Sequence, residues 1–308
     1  MHIHSRSLLN FEEIRKAGSI REAARRLHLS SSALNRQLLE LESEIGRPLF
    51  ERLPGGLKVT PEGKVLSQHV ITLIQDAQRM EGELGALRGV SQGAVDVLTV
   101  ESLTSDFIPQ ILQGMKSAHP GIDLTVRTTT SSDAVKQVTQ GLSDIAICFA
   151  RHTGPDVHPV SVARFELGAA VAPFHDLASY RNVSLEECLT HPLVLPTEEI
   201  SIFEEIGPLI SARESSIEVF LRTDSFELMR KLAIQGKCVA LVNRFGIENE
   251  LLEKKLVFVP LSVPLSFKLG IYTRSHRVLP HAVDAFALIA AAELTRRREL
   301  DLDDRRRP

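Results

Sequence analysis

Over the first sixty positions, apolar residues recur at helical spacing in three short blocks. Leu8, Phe11, Ile14 and Ala17 mark one face of a first helix, which Gly18 ends. Ile20, Ala23, Ala24 and Leu27 form the stripe of a second. Ser19 opens it, and with Glu22 three residues on it reads as a capping box. His28-Leu29 is a tight turn, and Ser30 caps a third helix. The buried stripe of that helix is Leu34, Leu38, Leu41 and Ile45, and Gly46 stops it. Two capped helices joined by a short turn predict a helix-turn-helix. The third helix turns Ser32, Asn35, Arg36, Leu39 and Ser43 outward. Short hydrogen-bonding side chains and an arginine near a helix start suit base edges and phosphates. A plain three-helix bundle with a solvated face would show the same spacing. Strands at 49–53 and 57–60 flank a Gly55-Gly56 turn, predicting a β-wing or a purely structural hairpin. In a wing, Arg52 and Lys58 would meet phosphates or a minor groove.

A different period follows. Leu66, Val70, Leu73, Ala77, Met80, Leu84 and Leu87 alternate spacings of 4 and 3. That is a coiled-coil seam, and it predicts a long helix pairing two chains. The other reading is an amphipathic helix lying on its own domain. Thr60 caps this helix with Pro61 at its first position, and residues 89–93 read as a hinge.

Beyond Gly93, short apolar strands alternate with helices, which predicts a parallel α/β sheet. Strands fall at 95–100, 122–126 and 144–148, with helices at 105–118 and 133–140. A second cycle has strands at 167–172, 193–195, 217–221, 239–242, 256–259 and 269–272. Its helices lie near 185–189, 203–212, 226–236 and 280–294. Ligands of such sheets bind at the carboxyl ends of the strands, where helix N-termini offer free amides. The polar loops there supply Ser102, Thr104, Thr129, Thr130, Thr223 and Asn243, with Phe149 and Pro196 as apolar walls. These side chains suit a small polar ligand, or act only as helix caps.

Composition narrows the classes. The 308 residues, 43% hydrophobic and 24% charged, describe a folded protein of two or three domains. No apolar run is long enough to cross a membrane. Cys148, Cys188 and Cys238 are scattered without metal-ligand spacing, which fits buried thiols in a reducing cytoplasm. The net charge of −3 hides an asymmetry: residues 1–64 hold eleven Lys/Arg against eight Asp/Glu, so the head is +3 and the rest −6. No G-x-S-x-G, H-E-x-x-H, P-loop or dinucleotide fingerprint is present, so neither an enzyme nor a cofactor or metal is expected. His2 and His4 read as part of a disordered end, and residues 296–307, charged in both signs, as a solvated extension.

The head resembles the LysR-type transcriptional regulators. The matching run is Phe11, Ala17 to Ile20, Ala23-Ala24, Leu27, Leu29-Ser30 and Ser32 to Leu34, then Arg36 to Leu38, Leu41-Glu42, Ile45-Gly46, Leu49-Phe50, Arg52, Thr60 and Gly63. Ser31 stands where that family usually has Gln, and Asn35 where it usually has Ser; both bear on the preferred base sequence. Further on, residues 141–147 and His175 to Ala178 resemble stretches of the same family. The resemblance implies a winged helix-turn-helix at 1–63, a linker and dimerisation helix with hinge at 64–92, and a two-lobed α/β effector domain at 93–308, similar to periplasmic binding proteins. Lobe 1 would be 93–163 with 268–295, and lobe 2 would be 164–267. It implies DNA contact through Ser19, Ser30, Ser31, Ser32, Asn35, Arg36, Arg52 and Lys58, and an effector between the lobes. The implied partners are a promoter inverted repeat, a small polar effector and further copies of the chain as a dimer of dimers, with RNA polymerase beyond them. A cytoplasmic solute-binding module without regulatory output is the alternative.

Overall fold

The structure, a computed structural model, describes residues 6–87, 93–150, 153–211, 217–275 and 278–306. The expected hinge and the His2/His4 pair lie outside these residues, apart from Gly93. The chain divides into two compact units, residues 1–90 with 279–281, and residues 91–278 with 282–308.

The first unit contains α1 (Arg6–Ala17), α2 (Ile20–Arg26), α3 (Ser31–Ile45), β1 (Phe50–Leu53), β2 (Gly56–Val59) and α4 (Pro61–Leu87). Phe11, Ile14, Ala23, Leu34, Leu38 and Leu49 form its core. Ser30 caps α3, its hydroxyl accepting from the Ala33 amide at 3.2 Å. Gly46 ends the helix at φ 74°, a left-handed value that glycine adopts at low cost. The Ser19 capping box is absent. Ser19 makes no side-chain cap, and Glu22 instead takes the guanidinium groups of Arg25 and Arg26. Local Arg partners outcompete a single backbone amide for that carboxylate. Ile45 is 39% exposed, because the last turn of α3 runs past the end of the core. The hairpin closes through Pro54-Gly55, one residue earlier than the expected Gly-Gly turn, since Leu53 pairs with Gly56.

Thr60 accepts from the Gly63 amide at 3.0 Å and starts α4 as expected. The seam then divides. Val70 is buried in the head's own core, and Leu66 and Ile74 pack against the same cluster. Position 70 is therefore taken up by the chain's own fold, and the half-buried Leu66 packs partly on the same core. Leu73, Ala77 and Met80 are half-buried, and Leu84 is 42% exposed. The Leu87 side chain lies outside the described residues.

The second unit has two five-stranded sheets. The first runs β4 (Ile122–Thr128), β3 (Gly93–Thr99), β5 (Ile145–Phe149), β12 (Ser266–Arg274), β6 (Val157–Glu166). The second runs β11 (Val257–Pro260), β7 (Gly168–Val171), β10 (Val239–Val242), β8 (Leu193–Pro196), β9 (Val219–Thr223). Helices α5 (Phe107–Ala118), α6 (Ser131–Thr139), α7 (Leu185–Cys188), α8 (Ser201–Ser211), α9 (Phe226–Ile234), α10 (Glu248–Leu252) and α11 (His281–Arg306) complete it. The sheets are mixed rather than purely parallel. β3 pairs parallel with β4 and β5, and β8 with β9 and β10. β12 and β7 each run antiparallel to both neighbours. The unexpected strand β6 explains this. It leads out of the first sheet toward β7, and β12 returns alongside it with Ser266 opposite Glu166. The expected solvated extension is also corrected. α11 continues to Arg306, and the Arg297 side chain is only 11% exposed.

Candidate functional site

Two surfaces answer to the residues singled out from sequence. On the head, Ser30, Ser31, Ser32 and Arg36 are exposed at the start of α3, and Arg52 and Lys58 are exposed on the wing. The buried stripe of α3 faces the core, so its opposite face is free to meet a groove. Arg52 of β1 donates to the Asn35 carbonyl oxygen at 2.8 Å, which joins wing and helix into one face. Arg36 lies 3.8 Å from Glu40, a loose exposed pair that leaves its guanidinium open to a phosphate. Ser19 is half-buried between α1 and α2, not on the α3 face. Behind this face, Asn10 donates to Gln37 at 2.5 Å, and Arg15 grips the buried Glu12, so α1 holds α3 in place. Arg25 and Arg26 hold the Glu22 carboxyl down to about 2, so at neutral pH both cations are partly neutralised locally.

The second surface is a cleft between the two sheets, with a cavity of about 360 Å³. From the first lobe, Glu101, Ser102, Thr129, Thr130 and Phe149 line it. From the second lobe come Pro196, Glu199, Ser201, Asp224, Phe226 and Met229. Each wall is a strand end followed by a helix start, as expected for α/β sheets. Five expected residues thus converge: Ser102, Thr129, Thr130, Phe149 and Pro196. Three do not. Thr104 spends its hydroxyl on the Glu101 carbonyl at 2.7 Å. Thr223 accepts from the Ser225 amide at 3.1 Å, and the buried Asn243 accepts from the Phe245 amide at 3.0 Å. All three are local turn contacts, because a short polar side chain closes on a nearby backbone carbonyl or amide before it reaches a cleft. Thr130 does both jobs: it lines the cavity and caps α6 through the Asp133 amide at 3.3 Å.

The lobes meet through three further contacts that pattern reading did not anticipate. Phe245, after β10, stacks edge-on against Phe107, Phe149 and Phe165 with centroids 5.6, 6.0 and 4.6 Å apart. Glu101, in a short 3-10 turn after β3, accepts from the amides of Phe226 at 2.8 Å and Glu227 at 3.3 Å, at the start of α9. Arg297 of α11 joins Asp106, beside α5, to Glu248 of α10 at 3.2 Å. Proline 196 and Ser225, which caps α9, are the sequence signals that mark this end of the second sheet.

Burial pushes the thiols of Cys148 and Cys188 up to about 12 and that of Cys238 up to about 11, which suits apolar filling rather than redox chemistry. No group of His, Cys, Asp and Glu among the described residues could hold a metal ion. No described helix is long and apolar enough to cross a membrane.

Comparison with known proteins assigns both domains to one family. Residues 5–64 match the bacterial regulatory helix-turn-helix protein, lysR family, and residues 88–295 match the LysR substrate binding domain. The RuBisCO operon transcriptional regulator of Allochromatium vinosum is 27% identical over 257 residues, covering 83% of this chain and 85% of that protein. Among solved structures, a full-length OxyR variant from Pseudomonas aeruginosa superposes with a TM-score of 0.71 at 16% identity, covering 94% of this chain and 95% of that one. Full-length CbnR, complexed with its target DNA, superposes with a TM-score of 0.54 at 18% identity, covering 94% and 99%. At these identities the structures share the fold.

Proposed function

The chain belongs to the LysR family of transcriptional regulators, and on that premise we propose how its parts divide the work. It is a regulator with a DNA-binding head and an effector-binding domain, not an enzyme. Ser32, Asn35 and Arg36 of α3 enter a major groove, and Arg52 and Lys58 of the wing hold flanking phosphates. The +3 head draws the chain to DNA, which repels the acidic remainder. The half of α4 that the head leaves unused, from Leu73 to Leu84, pairs two copies, and two such pairs bind a promoter inverted repeat in the cytoplasm. RNA polymerase is the partner through which occupancy is read out. A small polar effector binds in the cleft against Ser102, Thr129 and Thr130.

The observation that carries the effector reading is the cavity itself, where hydroxyls, strand ends and helix starts from both lobes converge. A ligand touching both lobes can shift their relative population, because its contacts differ between arrangements. The test is footprinting of the DNA upstream of the chain's own gene, with and without metabolites that raise the melting temperature in a thermal-shift screen. Thr129→Val should abolish the ligand response and leave ligand-free DNA affinity unchanged. A normal ligand response would move the effector site elsewhere. Leu73→Asp should sediment as a smaller species than wild type. Absence of DNA binding by the intact chain would favour a solute-binding module.

A further inference from the structure

We propose that Glu101 is the cleft's own anion and decides the class of its effector: the ligand group that meets it is a hydrogen-bond donor, an ammonium in the strongest case, and not a carboxylate. This rests on the reading of the cavity as the effector site. The start of a helix has unpaired amides and the positive end of the peptide dipole, so it attracts an anion. α9 begins on the cleft wall, where an incoming carboxylate would find that end. It is already occupied. Glu101 reaches across from the first lobe and accepts from the Phe226 amide at 2.8 Å, the Glu227 amide at 3.3 Å and the Ser225 hydroxyl at 3.5 Å. Ser225 in turn accepts from the Leu228 amide at 3.2 Å, so the whole first turn of α9 is satisfied from within the chain.

The wall near this carboxylate has the same sign. Asp224 and Glu199 also line the cavity, both exposed, and no Lys, Arg or His lines it among the described residues. An anionic group entering beside Glu101 meets like charge at close range, and the α9 amides that would compensate it are already taken. A donor meets the opposite situation. An ionised carboxylate offers about four lone-pair positions. The amides and the hydroxyl use three of them, so an ammonium, amide or hydroxyl can take the fourth. Glu101 belongs to one lobe and α9 to the other, so such a donor shares the carboxylate that ties them. Ligand charge and lobe arrangement are thereby coupled through one side chain.

The test uses the full chain and two probes of equal length and opposite charge, n-butylammonium chloride and sodium butyrate, in thermal-shift titrations at matched ionic strength. Wild type should show a saturable rise with butylammonium and none with butyrate. In Glu101→Ala the vacated amides should take butyrate, giving a saturable rise that wild type lacks, and the butylammonium response should disappear. Glu101→Gln keeps the side chain and one acceptor, so it folds even where the alanine variant does not, and it should weaken butylammonium at least tenfold. Three results overturn the proposal: wild type stabilised by butyrate as strongly as by butylammonium, wild type indifferent to butylammonium, or a folded alanine variant that butyrate does not stabilise. Thr129→Val separates the two levels of the argument. If butyrate binds wild type and Thr129→Val weakens it, the cavity stands as the effector site and the role of Glu101 falls. If butylammonium binds wild type, Glu101→Gln and Thr129→Val alike, it binds outside the cleft and both readings fall.

Discussion

Replacing Arg297 with alanine should destabilise the effector domain by breaking an ionic cluster that α11 shares with both lobes. The side chain is 11% exposed and lies against Glu293 at 2.8 Å, Glu248 at 3.2 Å and Asp106. One guanidinium therefore serves carboxylates from α11, α10 and the approach to α5. Removing the cation leaves those carboxylates facing one another around an emptied volume. Breaking a buried ionic cluster in this way costs about 3–5 kcal/mol. For a domain of this size, each kcal/mol moves the melting temperature by about 2–4 °C, so the loss is roughly 6–20 °C. The pH dependence sharpens the test. Burial pushes the Glu248 carboxyl up to about 7, so it is largely ionised at pH 8 and largely neutral at pH 6. The alanine variant should thus lose more at pH 8 than at pH 6. Urea unfolding followed by tyrosine fluorescence reads the right domain, since the chain's two tyrosines, Tyr180 and Tyr272, both lie in the second unit and it has no tryptophan. A variant within about 1 kcal/mol of wild type, or an equal loss at both pH values, would refute the assignment of Arg297 as the hub of an ionic cluster.

Gly63→Ala would place a Cβ 2.2 Å from the Leu49 carbonyl oxygen, so the α4 start must move away from β1, costing the head at least about 1–3 kcal/mol in a circular-dichroism melt. Glu248→Gln should remove a pH-dependent component of stability: a carboxyl raised above its unfolded value favours the fold most below about 4.5 and loses that contribution as pH rises through about 7, so urea midpoints of the variant should vary less across this window. The three buried cysteines, with thiols raised by burial, should resist a thiol-specific disulfide reagent at pH 8 in the native protein and react fully once unfolded in urea.

The elements that were legible in the sequence are those whose signal is local. Leu34, Leu38 and Leu41 repeat at helical spacing within one turn or two, and each is buried. The short strands β5, β8 and β10 are buried along their whole length, and an unbroken apolar run announces that condition. β6 gives no such run. Its residues alternate irregularly between buried and exposed, and Pro159 interrupts them, so the segment reads as a loop. It becomes a strand because β12, more than a hundred residues later, pairs with it from Arg274 back to Ser266. The antiparallel character of both sheets is lost to pattern reading for the same reason.

A charged side chain whose partners lie far along the chain looks solvated in sequence, because nothing nearby reveals what would neutralise it. Glu22 is the local exception: the capping-box pattern predicts a backbone amide for it, yet two arginines within the same helix bind it more strongly than a lone neutral donor can. Arg297 stands in a run of alternating signs that suggests water all round. Its partners Asp106 and Glu248 are brought to it only by the fold. Glu101 beside Ser102 looks equally solvated, although its carboxylate crosses to the start of α9 in the other lobe. In each case the unexpected partner is an opposite charge or a helix end that folding delivers, and at both long-range positions it joins the two lobes. The charged interlobe ties in this domain are therefore made by residues that look like surface in the sequence, whereas the hydroxyls that look like a binding loop divide between lining the cavity and capping their own helices.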